Sequence, residues 1–226
     1  MATEVEITLP DEVPAMTLPG VAFFPQALMP LHVFEPRYRE MLAEVLRTNR
    51  LMVVAGTDCR PGLAAETPRR VASVGIVRAC QGNADGTSDL LIQGLCRVAI
   101  TGIVRDEPYR CIRIKPLASE PGAENAENAR SRNELARLLR LKLKLSTGSE
   151  GRMTAFLKAI EDPETFVDVA AFSLCDNDGV KQRLLETLDV HRRLKLYAHR
   201  LRVEIEGLRL RRILQVGVVD ERIDEN

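Results

Sequence analysis

Residues 71–93 read VASVGIVRACQGNADGTSDLLIQ. Val71, Ser73, Gly75 and Val77 alternate with Ala72, Val74, Ile76 and Arg78, the period-2 pattern of a strand of about ten residues. Gly82, Asn83, Ala84, Asp85 and Gly86 then supply turn chemistry, and residues 89–93 return as the second arm of a hairpin. Working downstream, Gly94 breaks the run, and residues 97–104 and 109–116 continue it as further strands. Working upstream, residues 51–55 (LMVVA) read as a buried strand, and residues 15–18 as a short one ended by Pro19 and Gly20. Residues 28–34 form another, interrupted by Pro30, which suits an edge or a bulge. Pro36 stands where a helix begins, and Met41, Leu42, Val45 and Leu46 follow at helical spacing. Residues 60–70 hold two prolines and a glycine and read as an exposed loop. Short strands separated by turn residues predict a small closed or half-closed barrel.

Around residues 119–128 the composition turns polar and flexible, and the boundary between two domains is expected there, as 1–120 and 121–226. Beyond it the period changes from 2 to 3.6. Leu135, Leu138, Leu139 and Leu145 mark one helix, and Met153, Phe156, Leu157 and Ile160 a second. Asp162 and Pro163 are a cap and first residue for a third, carried by Phe166, Val169, Ala170 and Ser173. After a turn at residues 176–179, Leu184, Leu185 and Leu188 belong to a short fourth helix. Asp189 caps the longest, in which Leu194, Tyr197, Leu201, Ile205 and Leu208 recur at three and four. The expected fold class is α+β, a β-barrel followed by a helical bundle.

The chain has 226 residues, 45% of them hydrophobic and 28% charged, with 32 basic and 32 acidic side chains. These are the proportions of a globular protein and exclude a collagen-like or fully disordered chain. No apolar run approaches the roughly 20 residues that cross a bilayer. Zero net charge conceals an asymmetry: residues 1–129 carry −3, residues 130–215 carry +6, and residues 216–226 carry −3. The five cysteines (Cys59, Cys80, Cys96, Cys111, Cys175) include no C-x-x-C pair, and residues 1–10 are polar and acidic rather than a signal peptide. They read as reduced thiols of a cytoplasmic protein, small buried hydrophobes rather than metal ligands.

Motifs for chemistry are missing from the sequence. It holds no G-x-x-x-x-G-K-[ST], no G-x-G-x-x-G and no H-E-x-x-H. Residues 176–179 resemble part of a calcium loop, but in that register the first and twelfth ligand positions are Leu174 and Leu185, which offer no oxygen. His191 and His199 lie about 12 Å apart on one helix, and His32 has no carboxylate nearby in sequence. Ser146, Thr147 and Ser149 with Lys158 lack anything local to activate a nucleophile. No enzyme activity, cofactor or metal is expected, and a binding or interaction protein is the preferred reading.

Residues 18–25 (LPGVAFFP) and 28–39 (LMPLHVFEPRYR) resemble the opening of the Lon protease N-terminal domain, in the form seen in stand-alone Lon-domain proteins. Residues 51–55, 74–77 (VGIV), the polar turn and 94–98 (GLCRV) follow in the family's order. Residues 181–190 (KQRLLETLDV) with Arg193 and Leu194 resemble its helical half. The resemblance runs over about residues 15–214. It implies a PUA-like β-barrel followed by a helical bundle, a role in recognising unfolded or partner proteins, and the absence of the ATPase and serine–lysine peptidase modules of full-length Lon.

Two surfaces compete for the binding role. The joint Phe34, Glu35, Pro36, Arg37 and Tyr38 presents either a structural turn or an apolar peptide-binding surface, in which Phe34 and Tyr38 are the anchors. An apolar patch is expected there or in a groove between the two halves. The alternative is a nucleic-acid face on the last helix formed by Arg192, Arg193, Arg209, Arg211 and Arg212. A solvated helix face is the simpler reading of those arginines, because the first half lacks a basic, aromatic-rich groove.

Overall fold

The computed structural model describes residues 8–64, 66–147 and 152–220. The acidic start of the chain, Gly148, Ser149 and the end of the acidic tail therefore lie outside the described residues. Contacts divide the chain into two compact units. The first is Met1–Ala118 with Asn177–Glu186, and the second is Ser119–Asp176 with Thr187–Asn226.

The first unit holds strands β1 (Glu12–Leu18), β2 (Leu28–Val33), β3 (Leu51–Gly56), β4 (Val71–Gly82), β5 (Ser88–Arg105) and β6 (Cys111–Leu117), with helix α1 (Pro36–Arg47). The strand order is β2-β5-β4-β3-β1-β6, and β6 also pairs with β5. The pairings β5-β4-β3-β1-β6-β5 thus form a closed circuit, with β2 attached outside it. β1 and β3 are parallel, joined through β2 and α1, and the other pairs are antiparallel. Alternate residues fill the core inside: Val13, Ala15, Leu51, Val53, Ala55, Ala72, Val74, Val98, Ile112 and Ile114.

The hairpin expected at residues 71–93 is β4 and β5. Asp85 accepts from the Thr87 backbone N–H at 2.9 Å, and Gly86 takes φ +82° to close the turn. Gly94 does not end the strand, which corrects the sequence reading: β5 runs on for 18 residues. The reason is local. The register shifts between Val74 and Gly75, where Cys96 and Gly94 are the successive partners, so Leu95 bulges. A Cβ at Gly94 would run into the Phe24 carbonyl oxygen. Glycine here admits a crossing backbone rather than breaking the ladder.

The second unit holds α2 (Asn125–Thr147), α3 (Arg152–Lys158), α4 (Pro163–Leu174) and α6 (Val190–Asp220). Asp162 caps α4 by accepting from Thr165 N–H at 2.8 Å, and Asp189 caps α6 by accepting from Arg192 N–H at 2.8 Å. Leu135, Leu138, Leu139, Leu157, Phe166, Leu194, Tyr197, Leu201 and Ile205 are buried.

The helix α5 (Asp178–Glu186) groups with the strands and not with the helices of the second half, where the sequence reading had put it. Leu184 and Leu185 are buried. The Leu185 carbonyl accepts from Nε of the buried Arg97 at 3.0 Å, and Gln182 donates to the Val71 carbonyl at 3.0 Å. A helix-period pattern shows that an element is amphipathic, but not which core its apolar face enters.

Candidate functional site

β2 is the strand whose geometry leaves chemistry exposed. Met29 and Val33 point into the core, while Leu28, Pro30 and His32 alternate outward, and Phe34 just beyond the strand continues that face. Leu28 is 53% exposed and Phe34 61% exposed, large values for apolar side chains. β2 pairs with β5 alone, so its other edge is unpaired among the described residues. The Gly94 N–H donates to the Ala27 carbonyl at 2.9 Å, which sets the phase of the ladder. Alternate residues from Ala27 bond to β5, and Leu28, Pro30 and His32 turn their backbone groups to the open edge. Pro30 offers a carbonyl there and no N–H, which blunts the edge against uncontrolled strand pairing.

The face beside this edge is apolar in the middle and polar around it. The register places Pro30 opposite Leu91, His32 opposite Asp89 and Leu28 opposite Gln93. His32 Nδ1 lies 2.8 Å from Asp89 Oδ1, and its ring stacks on Phe34 with centroids 6.1 Å apart. The Asn83 amide and then His32 hold the Asp89 carboxyl below its ordinary value. Arg78 Nε donates to Gln93 Oε1 at 2.8 Å. His32 thus does find a carboxylate, supplied by β5 rather than by its own stretch of sequence. Leu28, Asp89 and Leu91 are not among the candidate residues read from the sequence, and Pro30 is read there only as the mark of an edge or a bulge. The signal for Leu28 and Pro30 was there, in the apolar alternation around Pro30, but the β5 partners depended on register.

The five residues of the expected joint separate. Phe34 is exposed. Glu35 precedes α1 in extended conformation and makes no side-chain cap, and Pro36 occupies the first turn. Arg37 is spent on structure: it grips Glu66 with two bonds of 2.6 and 2.9 Å, donates to Glu35 at 3.0 Å, and lies 4.6 Å from the Tyr38 ring centroid. Its pKa is raised, chiefly by the bonds to Glu66, and that of Glu66 is lowered by the same contact. Tyr38 corrects the expectation of a shared aromatic surface. It is 6% exposed, its hydroxyl donates to the Thr17 carbonyl at 3.3 Å, and burial pushes its phenol pKa up. A tyrosine at the inner face of α1 fills core, whereas Phe34 precedes the helix and escapes it.

The arginines of α6 do not form one face. Arg193, expected on that face, is fully buried. Its guanidinium meets Asp168 at 2.9 Å, Glu164 at 3.4 Å and the Ser119 hydroxyl at 3.0 Å, and Nε donates to the Thr187 carbonyl at 2.8 Å. Arg192, Arg209, Arg211 and Arg212 are exposed. Arg209 pairs with Glu206, and Arg212 donates to the Leu145 carbonyl at 3.0 Å. At about 100° per residue, Arg209, Arg211 and Arg212 point to three sides of the helix. Among the described residues, no group of three His, Cys, Asp or Glu side chains is placed to hold a metal ion, and no helix is long and apolar enough to cross a membrane.

Comparison with known proteins places this architecture. The family model of the ATP-dependent protease La (LON) substrate-binding domain matches residues 12–203. Lon protease of Syntrophus aciditrophicus is 26% identical over 96% of this chain, and the match spans 28% of that relative's length. Lon protease of Heliobacterium modesticaldum is 28% identical over 92% of the chain and 26% of its own length. The chain therefore spans little more than a quarter of the curated relatives it matches. Among solved structures, the N-terminal domain of Mycobacterium avium complex Lon protease superposes with a TM-score of 0.67 at 14% identity, over 84% of this chain and 97% of that one. A Lon N-terminal domain protein from Xanthomonas campestris gives 0.58 at 20% identity, over 81% and 95%. With most of its length matched by the family model and its fold shared with these domains, the chain belongs to the ATP-dependent protease La (LON) substrate-binding domain family.

Proposed function

We propose that this protein is a non-catalytic recognition module that holds extended, non-native segments of other polypeptides, and that the open edge and outer face of β2 are where it holds them. The observation that carries this reading is the exposure of Leu28 on β2 and of Phe34 just beyond it, beside an edge unpaired among the described residues. An extended peptide can add as a further strand, with backbone bonds to Leu28 and His32 giving affinity and the apolar strip receiving every second side chain. The polar rim of His32, Asp89, Gln93 and Arg78 suits a surface that must also stay in water. Family membership supports the class of ligand. We read the closed circuit of strand pairings as a PUA-like barrel, the helices of the second unit as a bundle, and the cytoplasm as the place of work, in keeping with cysteines that form no disulfide among the described residues.

The test is capture of a reduced, alkylated protein that cannot refold, measured by fluorescence anisotropy with the wild type and the Leu28→Ser/Phe34→Ser variant. Loss of one aromatic anchor typically costs about 2 kcal/mol, so the double variant is expected to bind at least tenfold more weakly while melting at an unchanged temperature. Arg209→Glu/Arg211→Glu is expected to bind like wild type. Failure of the wild type to hold any unfolded chain rejects the recognition role. Retention of RNA that falls steeply with salt and disappears in the arginine variant would favour the nucleic-acid reading instead.

A further inference from the structure

The second unit contains a cavity of about 220 Å³ that nothing in the recognition role requires. One wall is a face of α2, where Arg132, Ala136, Leu139 and Arg140 recur at helical spacing. Leu157 and Lys158 from the end of α3 and Phe166 from α4 complete it. Leu139, Leu157 and Phe166 are buried, so the interior is apolar, while Arg140 and Lys158 are exposed.

The three cations are not equivalent. Arg132 is committed to structure. It donates to the carbonyls of Leu157, Lys158 and Ile160 at 2.6–3.2 Å, and it lies 4.4 Å from the Phe166 ring centroid. Its charge is answered by the carbonyl end of α3. Arg140 and Lys158 have no ion pair and no side-chain hydrogen bond among the described residues, whereas Lys142, Arg200 and Arg202 each have an acidic partner. Among the described residues, no acidic side chain lines the cavity. Two cations unanswered by any described residue therefore stand beside an apolar hollow.

We propose that this cavity binds a carboxylate carrying a short apolar tail, with the carboxylate between Arg140 and Lys158 and the tail against Leu139, Leu157 and Phe166. An inorganic anion would leave the apolar walls unused, and a neutral hydrocarbon would leave the cations unused. Size bounds the tail. A cavity of about 150 Å³ takes benzene, and drug-sized ligands need roughly 300 Å³ or more. The tail is thus a chain of about six to eight carbons or one large apolar side chain. Two sources share this chemistry: a free short-chain acid, and the C-terminal residue of a peptide.

Sodium octanoate and acetyl-Ala-Ala-Phe with a free carboxylate are the probes, titrated into the full chain and followed by amide chemical shifts. At least one is expected to give saturable shifts at residues 132–140, 157–158 and 166. Binding of octanoate alone identifies free acids as the source, and binding of the peptide alone identifies chain ends. The matched neutral probes, 1-octanol and the peptide amide, are expected to bind at least tenfold more weakly, as is the acid to Arg140→Gln/Lys158→Gln. Ala136→Leu, which fills the cavity, is expected to abolish binding without lowering the melting temperature. The proposal is overturned if neither acid gives saturable shifts, if the neutral probes bind as well, or if the charge-removed variant binds unchanged.

Discussion

Tyr38 and Phe34 stand four residues apart and do opposite things. Tyr38→Ala removes a buried ring and leaves a cavity, which costs about 3–5 kcal/mol. Phe34→Ala changes an exposed side chain and is expected to stay within about 0.5 kcal/mol of wild type. Chemical denaturation of the two variants checks this, and equal losses would contradict the burial described. Arg37 and Glu66 give a pH signature. The bidentate bond to Arg37 lowers the Glu66 pKa below its ordinary 4.5. A depressed carboxylate stabilises the fold above its unfolded pKa, and that stability is lost as pH falls through the folded value. Glu66→Gln should therefore melt slightly below wild type at pH 7, and the gap should close as pH falls below 4.5. The difference is small, because the Glu66 side chain is 44% exposed and water screens the pair. Melting curves from pH 7 to pH 3 read it directly, and a gap that widened in acid would refute the assignment.

At the scale of elements, two glycines of β5 make a matched pair. A Cβ at Gly94 would collide with the Phe24 carbonyl, while one at Gly102 would meet nothing within 4 Å. Gly94→Ala should cost about 1–3 kcal/mol through overpacking against backbone that cannot move aside. Gly102→Ala should be neutral or slightly stabilising, since alanine narrows the unfolded ensemble. Thermal melts of both variants decide the matter. The same strand shows what the sequence could and could not disclose. Local signals were legible: the turn at Gly86, the start of α1 at Pro36, and the caps at Asp162 and Asp189 each depend on residues within one turn. The reason for Gly94 is a crossing backbone about 70 residues upstream in sequence, at Phe24, which no local pattern contains. The outer face of β2 was half legible. Its alternation around Pro30 is in the sequence, but Leu91 and Asp89 join it only through register. Tyr38 went astray because proximity in sequence to an exposed Phe34 does not survive the turn into α1.

For the whole molecule, the placement of α5 is the decisive fact. The first unit takes ten of its residues from beyond a long stretch of the second. A fragment ending at Ala118 would lack the Leu185 carbonyl that accepts from Arg97, a residue only 2% exposed, and the Gln182 side chain that donates to the Val71 carbonyl. Such a fragment is expected to melt at a lower temperature and to bind a hydrophobic dye. Appending residues 177–186 through a flexible linker should raise the melting temperature and reduce dye binding. A fragment that melts alike with and without them would show α5 to be dispensable.

The same placement has a consequence for how the protein is made. A ribosome delivers β6 well before α5, and about 70 residues separate the end of one from the end of the other. At roughly 5–20 residues per second, translation leaves the strand unit unfinished for several seconds. During that time the nascent chain lacks the Leu185 carbonyl that accepts from Arg97, and the edge of β2 is already available. A module whose proposed task is to hold unfinished polypeptides is thus, for part of its own synthesis, an unfinished polypeptide, and slowing the ribosome between codons 119 and 177 should lengthen its exposure to proteases.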